Sequence, residues 1–208
     1  MYGLQRTVAP VNLPVTTDEA RLHARIDDDA IDSDIALMVS AATEEVEGVI
    51  GRQIISATFE LTLECFPDVI RLPMGKTSSV SSVTYYDADD ASQTLAGTEY
   101  ALDAAREPAV VYSTATNSDW PATYERPDAV KVTYVAGYGA NNTDVPAGLR
   151  VAILMLFAYR WEHRGDEVSN TSFGTRLPGH ILDLAARYES GDEFHEYDAP
   201  NSRMWKAY

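Results

Sequence analysis

Tyr134–Arg150 reads YVAGYGANNTDVPAGLR: an alternating run ends, two glycines turn the chain, and an apolar helical segment begins. Phosphate-binding loops share this order of strand, glycine loop and helix. The stretch therefore decides between a parallel α/β nucleotide fold and a different architecture. A P-loop needs G-x-x-x-x-G-K-[ST], whose lysine reaches the terminal phosphates and whose hydroxyl holds magnesium. Here Gly137 and Gly139 are followed by Ala140, Asn141, Asn142, Thr143 and Asp144, with no lysine. The dinucleotide fingerprint lacks its third glycine, and the neighbouring strands do not read as parallel. The loop is structural: glycine permits backbone angles closed to other residues, and Pro146 suits the first turn of the helix that follows.

Downstream, Leu149, Ala152, Ile153, Leu156, Phe157 and Arg160 give that helix a broad inward face reaching to His163. Its most apolar part, VAILMLFAYRW (Val151–Trp161), is about half the length needed to cross a bilayer, and Arg150 and Arg160 flank or interrupt it. The expectation is a buried helix of a soluble protein, with no membrane partner. A loop, GDEVSNTSFGTRLPG, leads to a last helix, HILDLAARYE, and Gly191–Tyr208 is irregular.

Upstream, IISATFELTLECF (Ile54–Phe66) alternates, with Thr58, Glu60, Thr62 and Glu64 on one face and Phe59, Leu61, Leu63 and Cys65 on the other. VIRLP, VSSVTYYDA, EYALDAA, PAVVYS and AVKVTYVAGY follow at short intervals, punctuated by Gly, Pro, Asp and Asn. That spacing predicts an antiparallel meander or small barrel, with DADDASQ (Asp87–Gln93) as a hairpin tip. Before the strands come two helices. TTDEARLHARI has capping-box spacing between Thr16 and Glu19, and Leu22 and Ile26 share a face. DDDAIDSDIALMVSAATEEVEGVIG carries a stripe of Ile31, Ile35, Met38, Ala42, Val46 and Val49 and ends at Gly51; one of Asp27, Asp28 and Asp29 caps it.

The fold expected is α+β. Residues 1–53 supply two N-terminal helices of a small bundle, 54–137 an inserted antiparallel strand-rich lobe, 138–190 two C-terminal helices of the bundle, and 191–208 an extended arm.

Composition narrows the chemistry. With 32 Asp plus Glu against 16 Lys plus Arg, the net charge is −16, a surface that repels phosphate and disfavours tight wrapping of DNA, RNA or anionic lipid. A chain of 208 residues can bury a core without staples, and its single cysteine, Cys65, excludes an intramolecular disulfide framework. Cys65 is expected on the apolar side of its strand as a core filler. Met1–Pro14 carries only Arg6 and has no long apolar core, so no signal peptide is expected. His23, His163, His180 and His195 show no metal-ligand spacing, and no G-x-S-x-G elbow occurs. No catalytic, cofactor-binding or metal residue is identified.

The ordered segments carry a resemblance. PVTTDEARLHARID leads into DDAIDSDIALMVSAATEEVEGVIGRQI, then ATFELTLECFPDVIRLP and VSSVTYYDADD, and finally VKVTYVAGYG…DVPAGLRVAILMLFAYRWEHR. From about Pro14 to Glu189 this resembles the head–tail connector (adaptor) family of long-tailed bacteriophages and gene transfer agents. The resemblance implies a structural virion protein of the neck, assembled in the host cytoplasm, with no catalysis and no cofactor. It implies a homo-oligomeric ring, typically of twelve subunits, beneath the portal protein. Such a ring extends the channel for genomic double-stranded DNA and docks the stopper or tail-completion protein. The GDEVSNTSFGTR loop and the extended C-terminus depart from the family pattern.

Two groups of residues follow as candidates. Asp28, Asp29, Glu44 and Glu45 are acidic helix residues expected to face a channel, where like charge keeps duplex off the walls. Phe194, Tyr197, Trp205 and Tyr208 are aromatic anchors in the C-terminal arm, expected to contact the portal or a neighbouring subunit. Two rival readings are an acidic mimic of DNA that blocks a nucleic-acid-binding protein, and a metal-dependent hydrolase using Asp27–Asp29 with a histidine.

Overall fold

The computed structural model describes residues 2–27, 31–116, 119–163 and 179–190, with Leu182 described by its backbone alone. The chain is α+β and divides into two units, a strand unit built from its first residues to Ala9 with Ala57–Gly137, and a helical unit built from Pro10–Ser56 with Tyr138–Glu189.

In the helical unit, α1 (Thr17–Ala24) opens with the capping box read from the sequence: Glu19 N donates to Thr16 Oγ1 at 3.2 Å, and Thr16 N donates to Glu19 Oε2 at 2.9 Å. The face that Leu22 and Ile26 were expected to share does not form. Ala20 is buried, whereas Leu22 is 82% exposed. The helix ends at Ala24, and Arg25 turns left-handed at φ 54°, so Ile26 never stands one helical turn above Leu22. The Glu19 carboxylate instead orients α1 by pairing with Arg150 of α3 (Ala147–Glu162).

Helix α2 (Asp32–Ile50) is capped by Ile31, which makes no side-chain capping bond, and not by one of Asp27, Asp28 and Asp29 as expected; Asp28 and Asp29 lie outside the described residues. Its buried line is Ile35, Val39, Ala42, Val46 and Ile50, with Thr43 and Glu47 beside it. Val39 and Ile50 replace the expected Met38 and Val49, which pack half-buried on the flank. The stripe is displaced because α2 meets α1, α3 and α4 (Gly179–Ala185), and a helix with several neighbours buries more than one narrow seam. Thr43 Oγ1 is satisfied by the Val39 carbonyl at 2.7 Å. Gly51 closes the helix in the left-handed region at φ 65°.

Glu47 ties that helix end to the chain beyond it. Its Oε1 accepts from Gln53 Nε2 at 2.5 Å and from Ile54 N at 2.9 Å. Arg52 then reaches the Glu189 carbonyl at 3.0 Å, fastening the end of the unit's last helical turn. Helix α3 (Ala147–Glu162) follows Pro146, whose carbonyl accepts from Leu149 N and Arg150 N; the proline caps the helix from just outside its first turn. Leu149, Ala152, Ile153, Leu156 and Phe157 are buried as the periodicity predicts. Ile181 and Ala185 of α4 (Gly179–Ala185) close the same core.

The strand unit holds two antiparallel sheets over one apolar core. The first has the order β1-β2-β8-β4-β5, formed by β1 (Tyr2–Val8), β2 (Ala57–Leu63), β8 (Val130–Ala136), β4 (Thr77–Tyr86) and β5 (Ser92–Thr94). The second has the order β3-β7-β6, formed by β3 (Ile70–Leu72), β7 (Ala109–Ser113) and β6 (Tyr100–Asp103). Phe59, Leu61, Leu63, Val132 and Tyr134 of the first face Ile70, Leu72 and Val111 of the second in a shared cluster. In β2 the alternation holds residue by residue. It fails at its end: β2 stops at Leu63, and Cys65 is exposed where a core position was expected.

The first residues form strand β1, paired antiparallel with β2, where the sequence pattern gives no strand. It lies at the edge of the sheet, with Tyr2 opposite Leu63 and Val8 opposite Thr58, and only Tyr2 and Leu4 pack against the core. An edge strand that buries two side chains has no period-2 signal to read.

The strand-to-helix junction works through its glycines. Gly137 has φ 134°, open only to glycine, and ends the strand unit. A Cβ on Gly139 would stand 2.3 Å from Asp144 Oδ2, the oxygen that also accepts from Asn141 N at 2.9 Å.

Candidate assembly surfaces

The structure separates the two described acidic candidates. Glu44 is exposed on α2, on an outward line with Leu37 and Ala41, where Leu37 is 70% exposed. Glu45, one residue on, is turned toward α3 and forms an ion pair with Arg160. Asp28 and Asp29 lie outside the described residues, as do Phe194, Tyr197, Trp205 and Tyr208 of the arm.

Further carboxylates of this unit are also committed. Glu19 is held below the ordinary carboxylate range, first by the Thr16 backbone N–H and then by Arg150. Arg21 lies near both Asp18 and Asp32, the latter at 3.4 Å. His163 caps α3, with its Nδ1 2.7 Å from the Tyr159 carbonyl and its ring 4.5 Å from the Tyr159 ring. Among the described residues no group of three or more His, Cys, Asp or Glu is placed to hold a metal, and no helix is long and apolar enough to cross a membrane.

The strand unit has a surface that the sequence reading missed. Phe66, just after β2, stacks on Trp120 at 4.7 Å with ring planes 3° apart and meets the Tyr85 ring edge-on at 5.7 Å. Trp120 Nε1 donates to the Asp68 carbonyl at 3.4 Å, and Ser113 Oγ donates to the Asp119 carbonyl at 3.0 Å. Tyr124 N donates to the Tyr86 carbonyl at 3.0 Å. Arg126 lies over the Tyr86 ring at 3.8 Å and bonds Asp128 through Nε at 2.6 Å and Asp90 through Nη1 at 2.9 Å. The Arg126 guanidinium holds the Asp128 carboxyl below its usual range, and Asp128 in turn makes Arg126 harder to deprotonate. The signal available was DWPATYERPD (Asp119–Asp128), aromatic and proline-rich with no strand period.

The hairpin tip between β4 and β5 was legible. Asp87 Oδ1 accepts from Asp89 N and Ala91 N, each at 3.0 Å, and its Oδ2 accepts from Gln93 Nε2 at 2.7 Å. Those bonds, that of Gln93 foremost, depress the Asp87 carboxyl.

Known proteins share this arrangement. A chain from the neck of an empty gene transfer agent particle, computed with C6 symmetry, superposes with TM-score 0.75 at 20% identity, over 93% of this chain and 98% of that one. A chain from the virion of a native gene transfer agent particle gives 0.74 at 22% identity over the same shares. A chain from the neck of a native particle, computed with C12 symmetry, gives 0.68 at 25% identity, again over 93% and 98%. No curated protein matches in sequence. The profile of the head completion protein family matches residues 15–178, which span both units; the chain belongs to that family.

Proposed function

We propose that this protein is a structural component of a virion neck, forming a homo-oligomeric ring, of twelve subunits, beneath a portal. The observation that carries the reading is the head completion match over residues 15–178, joined to a fold shared along 93% of the chain with a gene transfer agent neck protein. The ring extends the channel for double-stranded DNA and docks the stopper or tail-completion protein, without catalysis.

Charge supports that role. A passage for duplex must not grip it, since each phosphate contact adds to the cost of sliding. At −16 per subunit, a ring concentrates charge of the same sign as DNA. Asp28, Asp29 and Glu44 line the channel in this proposal; Glu45 contributes less, because Arg160 offsets it. Phe194, Tyr197, Trp205 and Tyr208 anchor the C-terminal arm to the portal or a neighbouring subunit, being large apolar groups in a polar segment.

The test is negative-stain imaging of the purified protein, alone and mixed with portal rings. Rings that stack coaxially on the portal are expected; a species that never associates with itself or with a portal overturns the reading. Deleting residues 192–208 should abolish attachment to the portal and leave the folded chain intact.

A further inference from the structure

The five-stranded sheet has two ends, and they differ. At one, β1 pairs with β2 on its inner side and meets no other strand among the described residues. At the other, β5 covers only residues 84–86 of β4, and Leu95 N extends that cover to the Val83 carbonyl at 2.9 Å. Residues 77–82 of β4 are flanked by β8 alone. An open strand edge is a row of backbone donors and acceptors, a template for pairing with another chain. Residues 2–6 of β1 run in unbroken register and include no proline. Bulges at Ser78 and Ser81 twist the β4 edge, which selects against indiscriminate pairing.

Charge favours these edges as the place where copies of the chain meet. Each copy carries −16 with 32 acidic residues, so contact between copies is least opposed where carboxylates are absent. Neither strand has one. In β1 (YGLQRTV) the one charged residue is Arg6, and β4 (TSSVSSVTYY) has none.

Strand direction agrees. Three antiparallel pairings separate β1 from β4, so the two run in opposite directions. Neighbours in a twelvefold ring are turned by about 30°, which leaves strand directions nearly unchanged. Set edge to edge, β1 of one copy would run antiparallel to β4 of the next and continue the alternation of the sheet. A ring also needs two different surfaces that fit each other, and the two ends of this sheet are such a pair.

We infer that β1 of each copy pairs with residues 77–82 of β4 in the next copy, so that main-chain hydrogen bonds join the sheets of neighbouring subunits around the ring. This inference rests on the ring proposed above and names its contact. Main-chain bonds along an added strand supply affinity without charged side chains, which suits a subunit of this net charge.

The experiment introduces Gln5→p-benzoylphenylalanine, and in a second variant Ser79→p-benzoylphenylalanine, into the full chain during particle production. Both positions are exposed. Intact particles are irradiated, and the products are separated by mass and mapped by peptide mass spectrometry. From position 5 a shift to twice the mass of the 22.9 kDa chain is expected, with the link in residues 77–82 of a second copy. From position 79 the doubled product should carry its link in residues 2–8. Either link supports the pairing. The inference falls, and the neck reading stands, if neither probe reaches the named strand in particles that contain the chain. Links only to another part of a second copy, to residues 191–208 or to a different protein count against it, as does a chain left at single mass. Particles that form normally with the chain absent overturn the neck reading itself.

Discussion

Arg150 of α3 pairs with Glu19 of α1, and the same carboxylate accepts the Thr16 N–H that opens α1. One side chain thus serves as half of a capping box and as the tie between two helices more than a hundred residues apart in sequence. The Arg150 and Glu19 side chains remain 27% and 37% accessible, so the pair itself contributes modestly, and the cap carries the larger share.

Glu19→Ala should therefore cost about 1–2 kcal/mol, the range for loss of a cap plus a screened ion pair. The pH dependence has a defined sign. The Thr16 N–H and Arg150 hold the folded-state carboxyl of Glu19 below its ordinary value, so its contribution is present above that ordinary value and is lost as pH falls through the folded one. Urea midpoints of the wild type and Glu19→Ala should differ at pH 7 and converge in acid. A gap that widens on acidification would contradict this assignment.

Glu47 offers a sharper case because it is only 7% exposed. Removing its carboxylate leaves Gln53 Nε2 and Ile54 N without their acceptor. Each buried donor left unsatisfied costs about 1–3 kcal/mol. Glu47→Ala should lose at least about 2 kcal/mol by urea denaturation, whereas Glu47→Gln, which keeps an acceptor oxygen, should lose less. Equal losses in the two variants would show that side-chain volume, and not hydrogen bonding, dominates there.

Gly139 is required for room. Gly139→Ala would bring a methyl against Asp144, and overpacking of that kind costs about 1–3 kcal/mol. Asp144→Gly should be destabilising alone through loss of its bond to Asn141 N, yet should relieve the alanine when the two are combined. A double-mutant cycle measures that coupling, and a coupling energy near zero would remove Asp144 as the obstacle.

Several of these features were legible in the sequence because they are local. The capping box at Thr16, the Gly51 terminus, the alternation of β2 and the Asp87 tip each depend on residues within a few positions of one another. The inward face of α3 was legible as well, since a broad apolar face tolerates small errors of phase. One miss is local: Arg25 ends α1 before Ile26 can share a face with Leu22. The others depend on distant partners, as where Val39 displaces Met38 because α2 has several neighbours. Strand β1 and the Trp120 loop carry no period: one lies on a sheet edge, and the other is held by Phe66 and Asp68 from another part of the chain. Glu44 and Glu45 were equivalent as letters, and Arg160 alone separates them.

That separation yields a prediction that tests the channel reading against a structural one. Glu45→Lys would oppose Arg160 with like charge at the α2–α3 contact and should lower the urea midpoint of the isolated chain. Glu44→Lys meets no partner among the described residues and should leave that midpoint within about 0.5 kcal/mol of wild type, as exposed substitutions do. In an assembled ring the order should reverse. Every subunit bearing Glu44→Lys changes the local charge by two units, so the ring should retain duplex DNA at low salt and release it steeply as salt rises. Filter retention of a labelled duplex on wild-type and variant rings, across a salt series, measures this. If Glu44→Lys rings retain no more duplex than wild-type rings at low salt, Glu44 does not face the channel.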